Sequence, residues 1–149
     1  MPNFCTHLCH ENLNFYLIAM KEERDEAVYA TFKRVWASCP HLSYDEAIDK
    51  AINTEQPRLW ASFHGVYRVL RKILYNHGNG LIGKYKPGLE EEVRVKYNRL
   101  KRQPIFREAS PYFLAAFIVS QPSKGFYISH ATAKRIIWKI RKLHRASRK

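Results

Sequence analysis

A chain of 149 residues is the size of one domain or of two very small ones, and 46% hydrophobic with 13% aromatic content supplies a packed core, which excludes disorder throughout. The formal charge is +13 and very unevenly placed: residues 1–92 hold 11 Lys/Arg against 12 Asp/Glu, residues 93–149 hold 15 Lys/Arg and one acid, Glu108. So one-sided a field opposes compaction unless a polyanion screens it, so DNA or RNA is the expected partner; an anionic membrane and a surface kept basic for solubility are the competing readings.

No run of about 18 apolar residues exists, so no transmembrane helix is expected. The N-terminus lacks the parts of a signal peptide, and three cysteines do not make a disulfide framework. A cytoplasmic location and no membrane partner are therefore expected.

In chain order, residues 1–20 are either a leader, with Met20 as a natural start, or an extension of the first helix through Leu13, Leu17 and Met20. The extension is the preferred reading. Arg24–Ala37 carries Val28, Phe32 and Val35 on one helical face. Ser43-Tyr44-Asp45-Glu46 has the capping-box pattern and opens a second helix through Ile48, Ala51 and Ile52, ended by Pro57. A β-like piece, Leu59-Trp60-Ala61, precedes Ser62, which caps a third helix reaching Tyr75. Residues 77–88 are dense in turn formers and read as a linker.

The second half repeats the plan. Glu90, Glu91 and Glu92 sit where a helix start favours acids, and Lys101 and Arg102 where its end favours bases. Ser110-Pro111 caps a helix whose stretch Tyr112–Val119 is apolar all round, so it is expected at the centre of the core. Laying Ser62 on Ser129 brings Val66, Val69, Leu70 and Ile73 onto Ala133, Ile136, Ile137 and Ile140, with Arg68 on Arg135 and Lys72 on Lys139. The expectation is an all-α protein of two tandem similar three-helix units, an internal duplication with a short extended segment before each third helix. Their bounds would be 21–76 and 89–149. If Leu59–Ala61 pairs with Phe126–Ile128, the two third helices form a pseudo-dimer that presents two basic helices to one duplex.

The final helix carries the strongest chemistry. Ala133, Ile136, Ile137, Ile140 and Leu143 form its buried stripe, and Lys134, Arg135, Lys139, Arg141, Lys142 and Arg145 occupy the other faces without an acid. Trp138 falls among the cations, where it either stacks on a base, wedges into a groove, or packs against a helix or a partner subunit. Arg68, Arg71 and Lys72 give the third helix a weaker version. Helix, turn, basic helix is the logic of helix-turn-helix proteins, although the about eight residues between the helices exceed the usual tight turn.

Other motifs carry less. Cys5, Cys9 and His10, with Cys39, contain zinc-ligand chemistry, but in a spacing that fits no common zinc module, so no metal and no cofactor is expected. Gly78-Asn79-Gly80-Leu81-Ile82-Gly83 fits G-x-G-x-x-G without the strand and helix that give the pattern meaning. No clustered carboxylates, nucleophile elbow or paired-His motif supports an enzyme.

Pro122 through Ile136, with Phe126-Tyr127-Ile128-Ser129 and Ala133, resembles a segment of small uncharacterised basic proteins of gut anaerobes and their phages. The resemblance covers 15 of the 149 residues, about a tenth of the chain, and implies a mobile-element or phage context, with no residue roles to carry over. The expected function is non-enzymatic nucleic-acid binding, DNA ahead of RNA, in a regulatory or accessory role. The alternative is a phage or mobile-element interaction protein whose basic face meets an acidic protein, with Trp138 and Tyr127 as anchors, or a homodimer.

Overall fold

Four serines set the local structure. Ser43, Ser62, Ser110 and Ser129 each turn a side-chain oxygen back onto a backbone N–H three residues on, at Glu46, Gly65, Phe113 and Thr132. Each therefore satisfies a donor that an α-helix leaves open at its start. Glu46 returns the bond to the Ser43 N–H at 2.7 Å, completing the capping box.

The computed structural model describes the backbone of residues 4–75 and 87–148, and the side chains of residues 18–75 and 88–148. Among these the chain is all-α: α1 (Phe4–Ser38), α2 (Tyr44–Ile52), α3 (Phe63–Tyr75), α4 (Pro87–Lys101), α5 (Pro111–Ser120) and α6 (His130–Ala146), with a 3-10 turn at Pro104–Phe106. No described helix is long and apolar enough to cross a membrane. The preferred long first helix is present; of the expected linker only Pro87 and Gly88 are described, and they already belong to α4.

The six helices sort into two compact units, residues 1–52 with 128–149, and residues 53–127. This differs from the expected units 21–76 and 89–149. In unit 1, α1, α2 and α6 pack pairwise. Their buried apolar residues are Val28, Phe32 and Val35 of α1, Ala47, Ile48 and Ala51 of α2, and Ala133, Ile136, Ile137 and Ile140 of α6. In unit 2, α3 packs on α4 and α5, and Leu59, Val66, Val69, Leu70, Val93, Leu100, Leu114 and Ile118 share one core. Each third helix thus packs with the first and second helices of the other half of the chain.

The roles recur at two spacings, one for the second and third helices and one for the first. Ser43 and Ser110, and Ser62 and Ser129, lie 67 residues apart. At the same spacing, buried Ala47, Ile48 and Ala51 answer to buried Leu114, Ala115 and Ile118, and the four buried residues of α3 answer to those of α6. With a 65-residue spacing, buried Asp25, Val28 and Val35 answer to Glu90, Val93 and Leu100.

Two expectations of packing need correction. Within α5 only Leu114, Ala115, Ile118 and Val119 are buried, while Tyr112 and Phe113 are 55% and 53% exposed, because a helix covered by α3 and α4 still has an outer side. Leu143 is 55% exposed and leaves the buried stripe at Ile140; the last turn meets α1 through His144, edge-on to Tyr29 at 5.2 Å. Neither Leu59–Ala61 nor Phe126–Ile128 forms a strand. The extended segments meet upstream, in a single antiparallel bridge within unit 2 between Gln56 and Ser123, with N···O distances of 2.8 and 2.9 Å.

Candidate nucleic-acid interface

Alternation of burial along α6 fixes which side faces out. With 3.6 residues per turn, Lys134, Arg135, Arg141, Lys142 and Arg145 all fall within about 60° of Trp138. That side is exposed, opposite the isoleucines. Trp138 is 63% exposed, and the Lys142 ammonium lies 5.0 Å from its ring centroid. Trp138, Arg141, Lys142 and Arg145 line a cavity of about 330 Å³ together with Tyr44 of α2. Tyr44 is held edge-on by Phe32 at 5.2 Å and by Trp36 at 5.8 Å, so the cavity has one fixed aromatic side.

The expected cations do not all stand alike. Lys134 Nζ pairs with Asp45 at 3.1 Å, and Lys139 Nζ reaches buried Asp25 at 3.8 Å. Arg135, Arg141, Lys142 and Arg145 form no ion pair with any described carboxylate. No described carboxylate neutralises their charge, whereas Lys134 and Lys139 help attach α6 to α2 and α1. Arg68, Arg71 and Lys72 are exposed on α3 and belong to unit 2, so the ten expected residues do not form one site within a unit. The Arg71 guanidinium lies against Tyr67 and Tyr75, 5.9 and 5.3 Å from the ring centroids, and its bond to Tyr75 raises its pKa further.

Tyr44 carried no signal as a site residue, since it stands 94 positions before Trp138 and served in the sequence only as part of a cap. Tyr127 is not an exposed anchor. It is half-buried, with backbone φ of 54°, and its ring lies so close to Gly88 that a Cβ there would come within 2.9 Å of it.

The base of α6 is attached to α2 by a second charged group. His130 Nδ1 lies 2.6 Å from Asp49 and Nε2 3.2 Å from Asp45; only the imidazolium can donate from both nitrogens. The bond to Asp49 raises the His130 pKa above 6.5, Asp45 adding to it and burial opposing; Asp45 is lowered in turn, first by Lys134 and then by His130. A histidine with a raised folded-state pKa adds stability that is complete below the unfolded value and is lost as pH climbs through the folded one. Imidazole NMR should therefore show His130 titrating above 6.5. A shift to lower values would mean that the two aspartates do not hold it.

A second cavity, about 380 Å³, lies in unit 2, lined by Glu92, Lys96, Ser123, Lys124 and Tyr127 among others. Its buried carboxylate is occupied from within: Glu92 accepts bonds from Ser123 Oγ at 2.9 Å and the Lys124 N–H at 2.7 Å. Lys96 Nζ donates to the Pro122 carbonyl at 2.6 Å and lies 3.5 Å from Glu92. These groups clamp the segment before α6 onto α4.

Of the zinc candidates, the side chains of Cys5, Cys9 and His10 lie outside the described residues, as does residues 78–83, the glycine motif. Cys39 is a free thiol whose sulfur accepts from Lys50 at 3.3 Å. Among the described residues no three His, Cys, Asp or Glu side chains gather as a metal site. No protein-family model, no curated protein and no solved structure matches this chain.

Proposed function

We propose that the protein binds nucleic acid, DNA ahead of RNA, through the exposed face of α6, as a non-enzymatic regulatory or accessory factor. The observation that carries this reading is the acid-free set Arg135, Arg141, Lys142 and Arg145 around an exposed tryptophan, with no described carboxylate to neutralise it. Ser129 caps α6 at the end where its dipole is positive, which adds to the field favouring phosphate. The resemblance of residues 122–136 to basic proteins of gut anaerobes and their phages fits a mobile-element setting.

The scaffold under this face fits one three-helix plan used twice, with the third helices exchanged between the copies. Support comes from the 67-residue register of caps and buried positions and from equivalent contacts. Asp45 meets His130 and Lys134 in unit 1, and at the equivalent places Tyr112 meets Phe63 and Tyr67, with ring centroids 4.5 and 5.5 Å apart. The copies differ where the cavity lies: Arg71, Leu74 and Tyr75 stand in α3 where Trp138, Arg141 and Lys142 stand in α6.

The test is affinity against salt. Binding should fall steeply as salt rises, and R141E/R145E should flatten the dependence by about one log unit of slope per lost phosphate contact. At about 0.1 M salt the double variant should bind at least roughly tenfold more weakly, as each charge-assisted contact contributes about 1.5–3 kcal/mol. No binding of either single-stranded or duplex probes at low salt refutes the reading. A second reading, docking to an acidic protein, is favoured by the exposed indoles of Trp36 and Trp138, and a stable nucleic-acid-free complex with such a protein would support it.

A further inference from the structure

A surface that met only phosphates would need cations alone, yet two of the five residues lining the cavity of unit 1, Tyr44 and Trp138, are aromatic. An indole 63% exposed amid cations leaves apolar area in water that a second ring would cover. Tyr44, braced by Phe32 and Trp36, supplies a second aromatic edge to the same cavity, and Arg141, Lys142 and Arg145 supply the charge beside it.

We propose that this cavity receives an unpaired nucleobase, stacked on Trp138 within reach of Tyr44, while Arg141, Lys142 and Arg145 hold the adjoining phosphates. The protein then prefers single-stranded nucleic acid to duplex. This rests on the nucleic-acid reading above and names the form of the ligand. In a duplex each base has its faces covered by its neighbours, whereas a single strand offers them to an aromatic platform. Guanidiniums are suited to the phosphates because their planar fork donates two parallel bonds to an anion. In the free protein Lys142 lies over the Trp138 ring. A base arriving there displaces its ammonium toward the strand's phosphate, so both groups change partner together.

The experiment compares three labelled probes by anisotropy at one salt concentration: an oligo(dT) strand, the same strand paired with oligo(dA), and an equally long strand of abasic units. The wild-type protein should bind oligo(dT) tightest. W138A should weaken that binding on the order of tenfold, leave the duplex and abasic probes unchanged, and keep the wild-type helicity because the indole is outside the core. W138F should restore most of the loss. If W138A weakens all three probes equally, or none, or if the duplex binds as tightly as the single strand, the inference is overturned while the nucleic-acid reading stands. If the wild-type protein binds none of the three at low salt, that reading itself falls.

Discussion

Severing the chain within residues 76–86 is expected to leave two fragments that lose most of their helicity apart and regain it when mixed one to one. The reason is the composition of the units. Unit 1 needs α6 to cover α1 and α2, and unit 2 needs α4 and α5 to cover α3, so the cut divides both cores. Without α6, unit 1 loses the burial of Ile136, Ile137 and Ile140, each contributing roughly 1.5–3 kcal/mol. That total is comparable to the whole net stability of a small domain, about 5–15 kcal/mol. An isolated α3 of 13 residues is marginal as a helix in water. The competitor is closure of the first fragment, with α3 taking the place of α6 on α1 and α2. Its stripe of Val66, Val69, Leu70 and Ile73 would fit, but Phe63 and Tyr67 would then face Asp45, which now has His130 and Lys134. Circular dichroism of each fragment and of the mixture decides: cooperative unfolding of each fragment alone, with no gain on mixing, would show that each half folds by itself.

The same residues explain what could be read in advance. The caps at Ser43, Ser62, Ser110 and Ser129 are local chemistry, so helix starts were legible from a few positions each. The stripes of α3 and α6 were legible because 3.6-residue periodicity reports which side is buried. It does not report what covers that side. The two stripes occupy equivalent positions, so no local property says which pair of helices each one packs against, and the tandem arrangement was the natural expectation. In α5, apolar residues all round leave periodicity with nothing to choose between, and Tyr112 and Phe113 turn out exposed. The basic face of α6 and its Trp138 were visible from the sequence. Pairing of Lys134 with Asp45, of Lys139 with Asp25, and the part of Tyr44 in lining the cavity were not, because each depends on a partner about 90 or more residues away.

Glu92 shows the same limit, and its replacement is expected to cost as much as truncating a large core residue. In the sequence it is one of three acids at a helix start; in the structure it is buried, 7% exposed, and four partners converge on it. Burial holds the Lys96 ammonium below the ordinary lysine range even though Glu92 pulls the other way. Burial first, and the Glu92 charge second, push the Tyr127 hydroxyl up to about 12. E92M should cost about 3–5 kcal/mol, measured by denaturant unfolding, because Lys96 is left as a buried charge without its partner. E92M/K96M should be less destabilised than E92M alone, since removing both charges leaves none uncompensated; what remains is the lost acceptor for Ser123, the Lys124 N–H and the Tyr127 hydroxyl, and the lost donor to the Pro122 carbonyl. Tyrosine absorbance provides a second readout. A raised Tyr127 pKa means stability that is complete below pH 10 and is lost as pH rises toward 12, and without Glu92 the titration should move back toward 10 while staying above it, because the burial remains. Equal destabilisation of the single and double variants would mean that the Lys96 charge is already relieved by the Pro122 carbonyl, and that Glu92 acts only as a hydrogen-bond acceptor clamping residues 123–127 to α4.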